Sequence, residues 1–303
     1  MYDIIVVGGG PAGMTAALYA LRNGKSALVI EKNGFGGQMT HSPKIENYPA
    51  SLSVSGNELA DKMLSQILEQ GAEIEFETVD SVEDYGSKKV VKTEEGNSYE
   101  GKAVIIATGV KHRMLGLEGE DELVGDGISF CAVCDGDFYK GKTVCVAGGG
   151  NSALQEAILL SDKCEKVIML QDLPFFTGEE KLQEVLFARA NVEKHTSVKI
   201  TSLLTENGEF SGVCVVDSDN NETEYKCDGL FVAIGLIPEN EPFKNLAELN
   251  EYGYFASDES CATKSKGIFV AGDCRSKTVR QIATAISDGA VAALSACRYI
   301  NGM

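Results

Sequence analysis

The sequence predicts an α/β fold made of two similar modules, the second inserted into the first. A strand, a glycine-rich turn and a helix open the chain, and the same order returns from residue 143. In both copies a stretch of short strands follows, and then an apolar strand that ends in glycine. Such a repeat indicates two supersecondary units of one type. Alternating strands and helices are typical of parallel sheets covered by helices.

The first copy begins with the apolar strand 4–7, the turn 8–13 and the helix 14–21. Its glycines fit GxGxxG, which allows a tight turn, close approach of the backbone to a pyrophosphate, and close packing of helix on strand. The phosphates are then expected at the helix N-terminus. The residues of this turn that we assign to nucleotide binding are Gly8, Gly10, Pro11, Ala12 and Gly13.

A second strand, 26–30, ends at Glu31, which lies 23 residues after Gly8. A carboxylate at this point accepts hydrogen bonds from ribose hydroxyls in dinucleotide-binding folds. Strand, glycine turn, helix and acid together predict a Rossmann-like nucleotide site.

The first module continues with a segment rich in Gly and Pro, 34–50, which predicts a loop too polar and irregular for the core. Long ordered loops are often functional. An amphipathic helix, 57–70, and a meander of short strands, 72–101, follow. The next strand ends in the small residues 107–109, where the backbone has room to approach a nucleotide.

The second copy supplies strand 143–147, the turn 148–153 with the pattern GxGxxA, and a helix, 154–160. A strand, a helix and a meander follow, and the strand 230–235 completes the copy.

The chain then returns to the first module. A strand ends beside Asp273, whose carboxylate can accept a hydrogen bond from a sugar hydroxyl, and a long helix follows. We therefore assign residues 1–113 and 237–303 to one discontinuous domain and residues 114–236 to the domain inserted into it.

Two cysteines separated by two residues, Cys131 and Cys134, precede the second glycine turn. Such a pair closes a small, easily reduced ring, and a thiol in it can have a lowered pKa. The adjacent Asp135 offers a carboxyl group that can hold or deliver a proton. The alternative is half of a zinc site, but the other seven cysteines are scattered singly. The pattern favours redox chemistry over metal binding.

Composition restricts the function further. The formal net charge of −18 argues against nucleic-acid binding, which requires a basic surface. The sequence shows no N-terminal signal pattern and no apolar run near the ~20 residues of a membrane span, so we expect a cytoplasmic protein without membrane contact. Most of the nine cysteines should be buried thiols, with the CxxC pair as the exception.

Together these motifs resemble the low-molecular-weight thioredoxin reductases over essentially the whole chain. The resemblance rests on the two glycine turns, Glu31, residues 107–109, the CxxC-Asp-Gly sequence 131–136, Gly272-Asp273 and Arg280-Gln281. It implies FAD in the discontinuous domain, and a redox disulfide with a second nucleotide fold in the inserted one. It also implies thioredoxin as the substrate, and a homodimer.

The resemblance assigns roles to single residues. Cys134 faces the flavin, Cys131 attacks the thioredoxin disulfide, and Asp135 is the acid or base. The Gly272-Asp273 pair contacts the ribityl and pyrophosphate part of FAD, and Gln281 contacts its isoalloxazine edge. The remaining FAD contacts expected are Gly37, Gln38, Asn47, Ala107, Thr108, Gly109, Arg280 and Ile282.

One segment departs from the family pattern. NADPH-dependent members carry His-Arg-Arg and a further Arg after the strand that follows the second glycine turn, because a 2′-phosphate carries nearly two negative charges. Here residues 170–177 read LQDLPFFT, with Gln171 at the spacing that Glu31 has in the first copy. Between Arg113 and Arg189 the sequence contains no arginine, so the bidentate contacts that arginine gives a phosphate are missing.

Three electron donors stay open. NADH could bind through Gln171 or Asp172, and NADPH through side chains that no motif identifies. Alternatively electrons reach the flavin directly from a protein, as in the ferredoxin-dependent flavin thioredoxin reductases, which resemble this chain in keeping FAD and CxxC without the basic motif. The sequence favours ferredoxin.

Ferredoxins are typically acidic, so a local basic cluster must steer them to this acidic chain. The densest candidates are residues 111–113 and 275–280. A different class also stays open, namely a flavin-bound redox sensor or a reductase whose partner is not thioredoxin.

Overall fold

Strands and helices alternate along most of the chain. A computed structural model describes residues 1–42 and 44–302; residues 43 and 303, which belong to the predicted loop and the predicted C-terminal domain segment, lie outside the described part. Its α-helices are α1 Pro11–Arg22, α2 Gly56–Glu69, α3 Glu120–Leu123, α4 Ala132–Asp135, α5 Asn151–Ser161, α6 Glu180–Phe187 and α7 Ile282–Asn301. Its strands are β1 Tyr2–Val7, β2 Ala27–Glu31, β3 Glu73–Phe76, β4 Val79–Asp84, β5 Lys89–Thr93, β6 Ser98–Ile106, β7 Lys111–His112, β8 Ile128–Ser129, β9 Thr143–Ala147, β10 Lys166–Leu170, β11 Val192–His195, β12 Val198–Glu206, β13 Glu209–Asp217, β14 Glu222–Lys226, β15 Gly229–Val232, β16 Leu236–Ile237 and β17 Ile268–Val270.

Two units divide the chain. The first consists of Met1–Lys111 and the segment that begins at Ile237, and the second of His112–Leu236. The sequence analysis places the first boundary at residue 113. The predicted α/β class with Rossmann-like sheets is confirmed. In the described part of the chain, no helix combines the length and the apolar character that crossing a membrane requires.

The first unit is built on a parallel sheet with the order β3-β2-β1-β6-β17. The first half of β6 also pairs with β5, and β5 with β4, as an antiparallel meander. Side chains alternate across β1: Ile4 and Val6 pack with Met14 of α1, whereas Ile5 and Val7 pack with the meander residue Val91. This alternation gives three layers, helices on one face of the sheet and the meander on the other.

The second unit repeats this plan. Its parallel sheet has the order β11-β10-β9-β15-β8, and β12, β13 and β14 form the meander. Val144 and Val146 of β9 pack with Leu154 of α5, and Cys145 of the same strand packs with the meander residue Val213. Each glycine turn therefore follows the strand at the equivalent, third place in its sheet order, β1 in the first unit and β9 in the second.

The loop predicted at 34–50 contributes to the core, contrary to the sequence analysis. Residues Gly37–His41 form a short 3₁₀ helix, and Met39 in it is buried. Ile45 is buried as well and forms an isolated antiparallel bridge with Val54. Two apolar side chains suffice to anchor this segment on the first unit, although most of its residues are polar or glycine.

Candidate active site

The first glycine turn leaves no room for side chains where strand and helix meet. Gly8 has φ of 106°, and a Cβ on it would lie 2.4 Å from the carbonyl oxygen of Ala107. A Cβ on Gly13 would lie 1.8 Å from the carbonyl oxygen of Gly8. At Gly10, by contrast, a Cβ would meet no atom of the described residues within 4 Å. The turn is closed on its protein side and open in front of the helix.

Helix α1 starts at this open space. Gly10 is its N-cap and provides no side-chain acceptor, and its first turn carries no acidic residue. The amides of Ala12 and Gly13 lie in this first turn, where the helix itself supplies no acceptor. Such an uncapped N-terminus favours an anion such as a pyrophosphate.

Glu31 lies beside the turn at the end of β2. Its Oε2 accepts a hydrogen bond from the Gly9 amide at 2.6 Å, and its Oε1 accepts one from the Asn33 amide at 2.9 Å. A carboxylate oxygen has a second lone pair, so each can also accept from a ribose hydroxyl. The two amide bonds hold the carboxylate at the position that the sequence predicts.

Gly272 and Asp273 follow β17 and approach the same helix. Gly272 has φ of 80°, and a Cβ on it would lie 2.8 Å from the Cβ of Ala12. The Oδ1 atom of Asp273 is buried and has no hydrogen-bond partner among the described residues; the Lys277 Nζ is 3.9 Å away. Burial raises the pKa of Asp273 to about 6. A buried acceptor without a donor can accept a hydrogen bond from a hydroxyl group of a ribityl chain. These residues are therefore compatible with the predicted FAD.

We expect Asp273→Asn to change stability and FAD affinity in opposite directions. Burial raises the pKa of Asp273 to about 6, above the value near 3.9 of an unfolded chain. The folded state thus retains a proton that the unfolded state has lost, and stability falls as pH rises from about 4 to about 6. Asparagine removes this penalty, so the flavin-free variant should gain about 1–3 kcal/mol of unfolding free energy at pH 7.

Urea unfolding of the flavin-free proteins at pH 4.5 and pH 7.5, with FAD titrations, checks this expectation. The gain should be largest at the higher pH, and FAD affinity should fall because the acceptor carboxylate is lost. An equal gain at both pH values would contradict the assignment of the raised pKa to Asp273.

Other predicted FAD residues lie around the start of α7. Gln281 is the N-cap of this helix, and its Oε1 accepts a hydrogen bond from Asn47 Nδ2 at 3.2 Å. Arg280 donates from Nε to the carbonyl oxygen of Asp273 at 3.3 Å, and its guanidinium lies over the ring of Tyr254. Ile282, the first residue of α7, is partly buried.

The remaining predicted contacts lie on the strands and loops next to the glycine turn. A Cβ on Gly37 would be 3.5 Å from the Cα of Gly10, and the adjacent Gln38 is exposed. Thr108 donates from Oγ1 to Asn240 Oδ1 at 3.1 Å, and Gly109 has φ of 68°. Which of these residues contact FAD stays a prediction.

The predicted redox pair forms a disulfide between Cys131 and Cys134. Cys131 is the N-cap of α4, and its Sγ accepts a hydrogen bond from the Cys134 amide at 3.2 Å. The exposed Val133 lies between the two cysteines. An amide that donates to Sγ stabilises a thiolate at Cys131 once the disulfide is reduced.

Asp135 lies in the interior beside this disulfide. Its Oδ2 accepts a hydrogen bond from Ser129 Oγ at 2.6 Å, whereas its Oδ1 is buried without a partner. Burial raises the pKa of Asp135, and the Ser129 hydrogen bond opposes this only in part. A carboxyl group with a raised pKa is suited to exchange protons with a thiol.

Sequence reasoning missed Glu156, a second buried carboxyl group next to this site. It lies on α5, and burial raises its pKa to about 8. The sequence offers no signal for it, because a Gln-Glu pair in a helix ordinarily faces solvent.

The second glycine turn differs from the first at its acidic position. Gly148 has φ of 123°, as the tight turn requires, but Gln171 replaces the carboxylate. The Gln171 side chain is buried, and its Nε2 donates to the carbonyl oxygen of Phe175 at 3.2 Å, within its own loop. Asp172 is exposed. The loop therefore presents no cation to a 2′-phosphate.

Two cations of the candidate basic cluster 275–280 are paired with an acidic residue of the same unit. Arg275 is buried and donates from Nη1 to Asp288 Oδ1 at 2.7 Å, and Lys277 lies 2.9 Å from Asp288 Oδ2. In the other candidate run, Lys111 pairs with Glu239 at 2.8 Å. These cations are engaged within the first unit.

Potential metal-ligating side chains are dispersed in the described part of the chain. Among residues 1–42 and 44–302, no three or more His, Cys, Asp or Glu side chains form a group that could hold a metal ion. Cys131 and Cys134 are joined to each other, so neither is a thiolate ligand in this state.

Comparison with known proteins decides the family. The family described as pyridine nucleotide-disulphide oxidoreductase matches residues 2–289. The chain belongs to this family. A family member from Bacillus subtilis named thioredoxin reductase is 41% identical over 301 residues, covering 99% of this chain and 95% of its own. The Clostridium pasteurianum protein described as the 34.2 kDa protein in rubredoxin operon is 39% identical over 302 residues, with 99% and 97% covered.

Solved structures agree with this assignment. The thioredoxin reductase from Streptococcus pyogenes matches with a TM-score of 0.95 and 38% sequence identity, covering 100% of this chain and 99% of its own. As a pyridine nucleotide-disulphide oxidoreductase of this type, the protein is a flavin-dependent oxidoreductase, and its cofactor is FAD.

Proposed function

We propose that this protein is a thioredoxin reductase that receives electrons from reduced ferredoxin. FAD is bound by the first unit, and thioredoxin is reduced by Cys131 and Cys134 of the second. The single observation that carries the disulfide chemistry is the buried, partly unpartnered carboxyl of Asp135 next to the disulfide. The relatives named thioredoxin reductase support thioredoxin as the substrate.

FAD, when bound, takes up electrons singly and gives them up in pairs, which is the conversion needed between ferredoxin and a disulfide. The chain supplies its site. The turn from Gly8 to Gly13 and the N-terminus of α1 receive the pyrophosphate, Glu31 the ribose, and Asp273 a ribityl hydroxyl. Gln281 and Asn47 lie together where the isoalloxazine edge is expected.

The two cysteines carry out the exchange with thioredoxin. The Cys131 thiolate attacks the substrate disulfide, which forms a mixed disulfide and releases one substrate thiolate. Cys134 then displaces the second substrate sulfur and re-forms the Cys131–Cys134 bond. Over one cycle two electrons and two protons pass to thioredoxin. Asp135 holds the proton that Cys134 gains on reduction and loses on attack.

The donor assignment rests on the segment 170–177. A buried Gln171 and an exposed Asp172 stand where NADPH-dependent relatives carry arginines, and a phosphate beside Asp172 meets repulsion. One relative is described as a protein in a rubredoxin operon. NADPH is the second candidate, because relatives of about 40% identity share the name thioredoxin reductase.

Two further properties belong to this proposal. We also expect a homodimer, as the resemblance to the low-molecular-weight thioredoxin reductases implies. Seven cysteines of the described chain are free thiols, six of them buried, which supports a reducing compartment and hence the cytoplasm.

Anaerobic mixing of the oxidised enzyme with single donors tests the donor. Reduced ferredoxin should bleach the flavin absorbance within seconds. At equal electron supply NADPH should bleach it at least about 100-fold more slowly, since segment 170–177 holds no cation for the 2′-phosphate. NADH should be similarly slow, since Gln171 stands where a carboxylate would bind its ribose. Fast bleaching by NADPH would end the ferredoxin proposal and leave the disulfide chemistry intact.

A variant sharpens this test. Q171H/D172R/L173R/T177R restores the basic pattern of the NADPH-dependent members in this chain. It should accept electrons from NADPH faster than the wild type while its rate with ferredoxin stays within about threefold. If reduced ferredoxin bleaches the flavin of neither the wild type nor the variant, the ferredoxin proposal is wrong and another donor is required.

A further inference from the structure

Glu156 lies behind the redox disulfide, on the helix against which the CxxC segment packs. Ala132 of α4 is 1% exposed and belongs to the same buried cluster as Ala157 of α5. A Cβ on Gly136, just after α4, would touch Leu160 of α5 at 3.4 Å. Glu156 precedes Ala157, and the Ala132 amide of the CxxC segment is near enough to the Glu156 carboxyl to lower its pKa, against the larger effect of burial.

Asp135 and Glu156 lack hydrogen bonds to one carboxyl oxygen each among the described residues. The Oδ1 of Asp135 and the Oε2 of Glu156 are both buried, and neither has a hydrogen-bond partner in the described part of the chain. The negative charge of Asp135 raises the pKa of Glu156, which places the two groups within electrostatic reach of each other. Ionisation of one carboxyl therefore disfavours ionisation of the other, and a proton held by either reduces the cost of burying the two groups.

The other ionisable groups nearby do not neutralise this pair. Lys163 lies beside Gly136 but pairs with Asp137 Oδ1 at 2.7 Å. Tyr139 also feels Asp135; burial is the main cause that raises its pKa to about 12, so it stays neutral. No cation contributes to the pKa of Asp135 or of Glu156 among the described residues. In the oxidised enzyme, ionisation of both carboxyls in this poorly solvated site is unfavourable at neutral pH, so one proton stays on the pair until a thiolate takes it.

We propose that Glu156 is a positioning residue that shares one proton with Asp135 and keeps it available to the redox cysteines. When two electrons break the Cys131–Cys134 bond, one sulfur takes this proton and the carboxyl pair becomes fully ionised. When Cys134 attacks the mixed disulfide, its proton returns to the pair. The inference rests on the proposed redox role of the disulfide and is independent of the electron donor.

The pH dependence of a single turnover tests this role. The holoenzyme is reduced with dithionite, freed of excess reductant and mixed with oxidised thioredoxin between pH 5.5 and 9. In Glu156→Gln the inflection caused by the carboxyl pair should move down by about one pH unit, since Asp135 loses a neighbouring carboxyl. Near pH 8 the rate should fall about tenfold. The exposed Glu165→Gln, in the same unit, is the matched control and should follow the wild type.

A double variant separates a shared proton from two independent effects. If the carboxyls act together, Asp135→Asn with Glu156→Gln should be no slower than Asp135→Asn alone. Superposition of the Glu156→Gln and wild-type profiles, or full additivity in the double variant, overturns the proposal.

Infrared difference spectra test the proposal on the wild-type holoenzyme, so the result does not depend on whether a variant folds. A protonated carboxyl band should be present at pH 7, shift when the protein carries ¹³C-labelled glutamate, and disappear as pH rises through about 8, the pKa of Glu156. Absence of a glutamate band at pH 7 overturns the proposal. If the glutamate band is present but the enzyme does not reduce thioredoxin, the proposed substrate is wrong and the proposed carboxyl pair stands.

Discussion

Replacement of either redox cysteine by serine should abolish the reduction of thioredoxin. Cys131→Ser removes the sulfur that forms the mixed disulfide, and Cys134→Ser removes the sulfur that resolves it. A hydroxyl group cannot take either place, so turnover should fall by about 10⁴-fold or more. FAD content should stay unchanged, because the residues proposed to bind FAD lie in the first unit and both cysteines in the second.

The two variants should differ in what they trap. Cys134→Ser keeps the attacking thiol and should accumulate a covalent complex with thioredoxin, visible on a non-reducing gel, whereas Cys131→Ser should not. Cys214→Ser is the matched control, because Cys214 is a free, partly exposed thiol of the same unit. Turnover of either active-site variant near the control value would exclude the 131–134 disulfide as the carrier of electrons.

Much of the fold could be predicted because its signals are local. Each glycine turn follows a short apolar strand and precedes a helix, and the geometry of Gly8 and Gly148 then follows from the neighbouring carbonyl groups of Ala107 and Ala233. The CxxC pair is equally local, since both cysteines lie within one turn of chain. Such features need no knowledge of distant contacts.

Features set by contacts distant in sequence could not be predicted. Arg275 and Lys277 suggested a basic surface, but their partner Asp288 is on α7 and appears only once the helix has packed. Glu156 is buried because α4 packs on α5, and neither helix is long or distinctive in sequence. In both cases the sequence shows the charge of the side chain, whereas tertiary packing determines whether the side chain is buried.

The two modules differ at the position that binds a ribose in dinucleotide-binding folds. Glu31 and Gln171 have the same spacing after their glycine turns, yet Glu31 accepts the Gly9 amide while Gln171 donates to Phe175 in its own loop. The first module keeps a charged acceptor for a ribose, and the second has none at that position. The two modules therefore share the backbone turn but differ in the side chain at the position that binds a ribose in dinucleotide-binding folds.

Gly13→Ala and Gly10→Ala should differ in their effect on stability, although both change one glycine of the same turn and both should weaken FAD binding. An added Cβ at position 13 would lie 1.8 Å from the carbonyl oxygen of Gly8, and neither backbone can move without separating α1 from β1. We expect a loss of about 3 kcal/mol or more in the free energy of unfolding, at the upper end for overpacking in a core, and loss of FAD.

At position 10 the added Cβ would meet no atom of the described residues within 4 Å, and the backbone there is already extended with φ of −75°. Stability of the flavin-free protein should be unchanged or higher by about 0.4–1 kcal/mol, since alanine restricts the unfolded chain. FAD affinity should nevertheless fall at least about tenfold, because the methyl group enters the space assigned to the pyrophosphate. Urea unfolding and FAD titration measure the two effects separately. Wild-type FAD affinity in Gly10→Ala would show that the pyrophosphate does not lie in front of α1, since a filled gap there must weaken binding if the gap holds the ligand.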